Sequence, residues 1–324
     1  MKSTGVFGRT VTAGIAVALA ATLAACGSSG GKSKNSGAAS GGAKGSTSNS
    51  QPGKGKPAIV MGDKNFAEQY LLGELYKQAL QAKGFTVTLK GNIGSSTVID
   101  KALTSGKIQW YPEYSGVIYT ELAKLGDRPK SAEITLQGAT DYEKKRGFTV
   151  LAPTPFQDAD GMAVSNKFAQ QHGLKTIDDL KKVKSFTYGG PPENGTRFQG
   201  VKGLQQAYGL HNFTFKPVPI GSQYQALDQG KLDSIAIFTT DGQLASKKYT
   251  VLTDTKGIFG FQQVVPVVKN SLITAEGPAF AQTLNAVSAL LSTDAIVALN
   301  KAVQIDQKDP AVVAKAFLQA NHLA

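Results

Sequence analysis

Residues 58–89 read AIVMGDKNFAEQYLLGELYKQALQAKGFTVTL, and the order of patterns in this stretch decides the fold class. AIVMG (58–62) is an apolar run of strand length. Leu71, Leu72, Leu75, Ala79 and Leu80 then recur at three- and four-residue spacing, the single apolar stripe of a helix. Gly84 closes that helix, and FTVTL (85–89) alternates and is β-branched, as a strand does. Strand, helix and strand at this spacing make a βαβ unit, so the chain is α/β with a mostly parallel sheet. Asn65, with Glu68 three residues on, has the spacing of an N-terminal capping pair. Lys64 falls between the first strand and the helix. Free backbone N–H groups and the helix dipole favour an anion there, and a lysine strengthens the preference. On position alone, a solvated surface lysine fits equally well.

The next stretch has a counterpart further along. Residues 93–110 read IGSSTVIDKALTSGKIQW, and residues 220–234 read IGSQYQALDQGKLDS. Both begin Ile-Gly-Ser, and both contain Ala-Leu-x-x-Gly-Lys. Each follows a strand, FTVTL in one case and FTFKPV (213–218) in the other. Eight residues after the glycine of each echo stands an aromatic residue, Tyr114 after Gly106 and Phe238 after Gly230. The echo predicts two lobes built on one α/β plan. Ligands of open α/β sheets bind beyond the carboxyl ends of the strands, so two facing lobes aim Tyr114 and Phe238 at a shared cleft. PTPFQDADGMAV (153–164) and TDTKGIFGFQQVVPVV (253–268) are the expected crossovers, acting as the hinge. The expected boundaries are 57–155 for the first lobe, 156–257 for the second and 258–324 for the return to the first. The return ends in helices visible as FAQTLNAVSALL and DPAVVAKAFL, the latter with an Asp cap and a Pro in its first turn.

The N-terminus reads as targeting rather than fold. Lys2 and Arg9 form a positive region, and VTAGIAVALAATLAA is an apolar stretch too short for a good membrane span. Leu23-Ala24-Ala25-Cys26 follows. It is similar to a bacterial lipobox, in which the cysteine becomes the lipid-bearing first residue of the mature protein. Cys26 is the only cysteine of 324 residues, so the fold cannot rely on an internal disulfide. The expectation is a signal peptide over 1–25 and a lipid anchor at Cys26, on the extracytoplasmic face of the cell membrane. Residues 26–56, rich in Gly, Ser, Ala, Asn and Lys, read as a disordered tether. No acid occurs before Asp63. Setting aside the two cations of the signal and five lysines of the tether leaves the folded part +5 of the formal +12. That modest charge argues against nucleic acid as the partner.

Hydrolytic constellations are missing: there is no G-x-S-x-G, His172, His211 and His322 lack metal-ligand spacing, and no Gly-rich phosphate loop follows a strand in the required form. No cofactor or metal is expected. What remains are ligand contacts. Arg197, in GGPPENGTRFQGVKGL, follows the strand SFTYGG at the place in the second lobe that Lys64 holds in the first. Two cations on opposite lobes suit one carboxylate, and arginine is the better planar clamp. WYPEYSG (110–116) clusters three aromatic residues at a strand end. Trp110 and Tyr111 read as core or wall, and Tyr114 as the more exposed. A quaternary ammonium ion over such a ring gains roughly 0.5–2 kcal/mol.

Several motifs in the same order closely resemble the osmoprotectant-binding lipoproteins of ABC importers: GDKNFAEQYLLGELYKQALQAKGFTV, NIGSSTVIDKALTSGKIQWYPEYSG, TRFQGVKGLQQAYGL and FTTDGQL. The resemblance covers about 58–320. It implies the two-lobed periplasmic-binding-protein fold of type II, a permease as partner, and a ligand such as glycine betaine, carnitine, choline or proline betaine. It also implies that Lys64 and Arg197 hold the ligand carboxylate and that an aromatic cage encloses the ammonium head, with Tyr114 and Phe238 as two of its walls. Gln69 and Thr97 fall in the same motifs and complete the candidate contacts. The remaining cage positions fall in the crossovers, where this chain has Met162 and Gln262. The family's E-Y-T-G-T is EYSGV here and F-T-E-Q is FAEQ, so Ser115, Val117 and Ala67 replace threonines. A cage with fewer rings leaves open a different zwitterion, such as a bulkier betaine, a histidine-derived betaine or an amino acid. An exported enzyme on the same scaffold is the rival from another class.

Overall fold

The computed structural model describes residues 51–324 of the chain. The expected signal peptide, Cys26 and the tether up to residue 50 lie outside the described residues. Residues 51–56, assigned by composition to the tether, are instead a turn packed on the first lobe. Gly53 N donates to Lys83 O at 3.0 Å, and a Cβ on Gly53 would stand 2.3 Å from Phe85 N. A glycine there lets the two backbones touch, which composition alone does not reveal.

The strands are β1 (Ile59–Gly62), β2 (Val87–Lys90), β3 (Trp110–Tyr114), β4 (Phe148–Val150), β5 (Asp160–Ser165), β6 (Phe186–Gly190), β7 (Phe213–Pro217), β8 (Ser234–Phe238), β9 (Tyr249–Val251) and β10 (Val264–Lys269). They form two five-stranded sheets, ordered β2-β1-β3-β10-β4 and β7-β6-β8-β5-β9. The plan is the same in both. Three parallel strands are joined by helices, and the chain's crossover strand, β10 or β5, lies antiparallel against the central one. The echo therefore marks equivalent places. Tyr114 and Phe238 are the last residues of β3 and β8.

Helix α1 (Ala67–Ala82) buries all five residues of its expected stripe. They meet β1 and the returning helices through Phe280, Leu284, Val313 and Leu318. Trp110 lies edge-on to Tyr76 at 5.7 Å and to Phe280 at 6.1 Å, so it belongs to the core. Tyr111 is fully buried on the sheet's other face, with Ile99 of α2 (Ser96–Thr104), Ile118 and Val265. The last helix, Pro310–Ala320, starts as expected: Asp309 accepts from Ala311 N at 2.7 Å. The Asn65–Glu68 cap does not form. Phe66 occupies the cap position, without a side-chain bond.

The two connecting segments run side by side. Gln157 and Gln263 form an antiparallel bridge, and Asp158 N donates to Gln262 O at 3.0 Å. Ser115 N donates to Gln263 O at 2.8 Å, while Gln263 N returns a bond to Ser115 Oγ at 3.2 Å. At Gly116 a Cβ would lie 2.4 Å from Phe261 O. Only glycine lets the second crossover lie this close to the end of β3.

Candidate functional site

Where the strand ends of the two sheets face each other, a cleft encloses about 540 Å³ of empty space, part of it open to solvent. Its walls include Lys64, Tyr114, Arg197, Phe238 and Gln262 of the expected contacts. Three rings stack across the divide. Phe66 lies 6.1 Å from Tyr114 and 5.7 Å from Phe238, with interplanar angles of 23° and 17°. Phe66 was not among the expected contacts. In sequence an aromatic residue just before a helix reads as a packing residue for that helix.

Lys64 is buried, and its ammonium group is not free. It forms an ion pair with Glu113, donates to Ser96 Oγ at 3.2 Å, and stands 4.2 Å from the centroid of the Tyr114 ring. Burial pushes its pKa down, with Glu113 opposing that shift. Glu113 Oε1 also accepts from Tyr114 N at 2.8 Å, which ties the pair to the strand end. Arg197, at the turn before Phe198, reaches back across the cleft, and its Nε lies 3.4 Å from Glu121 Oε2 of the first lobe. Both expected cations thus line one cleft, each already facing a carboxylate.

The other expected contacts fall differently. Gln69 is fully buried behind the cleft wall, where its Oε1 accepts from Lys64 N at 3.4 Å. Gln262 does line the cleft, and its Oε1 accepts from Val117 N at 3.1 Å. Thr97 does not reach it. Successive helical residues point about 100° apart, so at the start of α2 Ser96 faces Lys64 while Thr97 is exposed and bonds only to Ser95 Oγ. Met162 is also outside the site, fully buried in the second lobe's core. Asp160 shares its face of β5 one strand repeat earlier, about 6.6 Å nearer the cleft, and it is Asp160 that lines the wall.

Acids are more prominent than the sequence reading foresaw. Asp158, Asp160 and Glu193 line the cleft together with the carboxamide of Asn194. Burial pushes the Asp160 carboxyl up to about 6, held back by Arg197 and Lys64. Burial and the neighbouring Glu68 push Asp158 well above the ordinary carboxylate range. Arg197 and Lys64 both act on the Asp160 carboxyl, so the cleft brings cations, acids and a ring stack together.

The family model described as the substrate-binding domain of ABC-type glycine betaine transport systems matches residues 57–320. A glycine-betaine-binding protein of Pseudomonas aeruginosa is 29% identical over 279 residues, covering 81% of this chain and 88% of that one. A Helicobacter pylori protein named as an ergothioneine transport permease and ergothioneine binding protein is 27% identical over 264 residues, which span 81% of this chain and 47% of its own length. Among solved structures, one titled glycine betaine/carnitine/choline ABC transporter superposes with a TM-score of 0.68 at 27% identity. It covers 82% of this chain and 99% of the other. The fold is the two-lobed type II arrangement.

Proposed function

The chain belongs to the family of substrate-binding domains of ABC-type glycine betaine transport systems, and from that premise we propose which solute its cleft takes and how. The ligand is a zwitterion of the betaine class. Its carboxylate meets Arg197, whose Nε faces Glu121 and whose two Nη groups remain for a bidentate contact. Lys64, balanced by Glu113, adds a weaker contribution at the far wall. The quaternary ammonium head rests on the Phe66–Phe238 pair, near Asp158 and Asp160. The observation that carries this reading is the three-ring stack sharing one cleft with Arg197. Closure of the lobes about the paired crossovers encloses the ligand for delivery to a permease, without chemical turnover.

A larger, histidine-derived betaine is the second reading. Phenylalanines in place of tyrosines weaken the cage as a hydrogen-bonding site, while Asn194, Asp158 and Asp160 offer partners to a heterocycle. The relative named for ergothioneine binding supports it. Calorimetry with glycine betaine, carnitine, choline and histidine betaine, beside mass spectrometry of any co-purifying molecule, tests both. The proposal expects a zwitterion to bind tightest and to be recovered unchanged. Conversion of the ligand would favour the enzyme alternative. The lipid anchor at Cys26 is part of the same proposal, because two acyl chains supply what stable attachment needs.

A further inference from the structure

Behind the ring stack, a buried hydrogen-bonded chain joins the lobes. Tyr114 Oη donates to Glu68 Oε1 at 2.8 Å. Thr240 Oγ1 stands 2.7 Å from Glu68 Oε2 and 2.6 Å from Asp158 Oδ1. Asn300 Nδ2 donates to Glu68 Oε2 at 2.7 Å and to Thr240 O at 3.0 Å. Glu68, Tyr114 and Asn300 belong to the first lobe, Thr240 follows β8 of the second, and Asp158 lies in the crossover between them. Glu68, Asp158, Thr240 and Asn300 are each at most 4% exposed.

A threonine hydroxyl carries one proton and can donate it to one carboxyl. The second short contact needs a proton on the other carboxyl, donated to the hydroxyl oxygen. Two ionised carboxylates on either side of one oxygen would otherwise repel each other in a dry site. Hydrogen bonds donated by Tyr114 and Asn300 favour ionised Glu68, which leaves the added proton to Asp158. The groups facing the pair are Tyr114, Asp160 and Asp241, the last accepting from Tyr224 Oη at 2.8 Å. The nearby cation, Lys64, is matched by Glu113, and Arg197 faces Asp160 and Glu121. Burial pushes both Glu68 and Asp158 up; hydrogen bonds from Thr240, Asn300 and Tyr114 hold Glu68 back, while the neighbouring Glu68 raises Asp158 further.

We propose that Glu68, Thr240 and Asp158 form a proton-sharing clasp that assembles as the lobes close, so that ligand capture takes up a proton. Glu68 is then a positioning residue, which acts through Tyr114 on the ligand cleft and through Thr240 on the opposite lobe. The proposal rests on the reading of the cleft as a closing betaine site. When the lobes part, Thr240 leaves Glu68, water reaches both carboxyls, and they return to the ordinary carboxylate range. The closed state therefore holds the shared proton more tightly. Closure is favoured at low pH and weakens as pH rises above the ordinary carboxylate range, by up to about tenfold per unit for one proton.

The test is calorimetry of glycine betaine binding to the folded chain in buffers of different ionisation enthalpy, which counts linked protons. Net uptake approaching about one proton per ligand, and a Kd at least tenfold lower at pH ~5.5 than at pH ~7.5, are expected. Glu68→Gln removes one of the two ionisable carboxyls and should bind with a flat pH profile. Asp158→Asn, which removes the other ionisable carboxyl, should also lose the uptake and guards against misfolding of the first variant. No proton uptake by the wild type, or a slope retained in both variants, overturns the clasp. Small-angle scattering of the ligand-free chain separates this from the ligand reading. If glycine betaine binds at no pH, the choice of ligand fails. Compaction at low pH that both variants lose still supports the clasp, and equal radii at both pH values overturn it.

Discussion

Replacing Arg197 by alanine isolates the carboxylate contact. The side chain is 19% exposed, and its Nε lies 3.4 Å from Glu121, so two Nη groups are left for the ligand. Charge-assisted bonds contribute roughly 1.5–3 kcal/mol each, giving about 3–6 kcal/mol for a bidentate contact. Water entering the vacated space recovers about half of that, which leaves a loss of about 1.5–3 kcal/mol, or roughly 10- to 150-fold in Kd. Folding should suffer little. Glu121 is itself partly exposed, and such ion pairs contribute at most about 1 kcal/mol. Arg197→Lys keeps the charge but loses the planar fork, and should fall between the two. Titration calorimetry with glycine betaine, together with thermal melts of the ligand-free proteins, measures both quantities. An Arg197→Ala variant that binds within threefold of wild type would refute the assignment of the carboxylate to this residue.

Lys64→Met leaves the Glu113 carboxylate buried without its partner, a loss of about 3–5 kcal/mol in stability; adding Glu113→Gln should restore most of it, and a single variant that melts like wild type would show the pair to be unimportant. Phe66→Ala should weaken glycine betaine binding more than Phe238→Ala, since Phe66 contacts both other rings; equal effects in calorimetry would contradict the central place given to it. Cys26→Ser should release the exported protein from membranes or leave it unprocessed, and normal processing with full membrane attachment in fractionation would rule out the anchor. Choline lacks a carboxylate and should bind at least tenfold more weakly than glycine betaine, with Glu121→Gln widening the gap because Arg197 then depends on the ligand for its counter-ion. A ratio unchanged by Glu121→Gln in competition calorimetry would dissociate that pair from specificity.

Much of the architecture was legible because each element carries its own period. The stripe of α1, the alternation of FTVTL and the repeated Ile-Gly-Ser echo are local properties, and two strand ends bearing aromatic residues follow from them. Lys64 and Arg197 were legible for a related reason, since each stands in the turn after a strand of the equivalent sheet position. The contacts that went unforeseen depend on register and on distance along the chain. Met162 and Asp160 share a strand face, and only the point at which β5 begins decides which of them reaches the cleft. Thr97 and Ser96 differ by one step around a helix. Glu113 lies 49 residues from Lys64 and Glu68 lies 172 from Thr240, separations that no local pattern spans.

The pairing of each cationic residue with an acid changes what the cleft asks of its ligand. A lysine and an arginine standing alone would repel each other and draw in any anion. With Glu113 beside one and Glu121 beside the other, the ligand-free cleft avoids that cost, and both cations are held in place before a ligand arrives. A carboxylate entering at Arg197 must then compete with Glu121, which reduces the gain from any simple anion. Only a ligand that also places a cation against Phe66, Phe238 and the raised carboxyl of Asp160 makes both exchanges at once. On the proposed reading of the cleft, selectivity for a zwitterion over either a plain anion or a plain cation follows from that double requirement, without a complete cage of tyrosines.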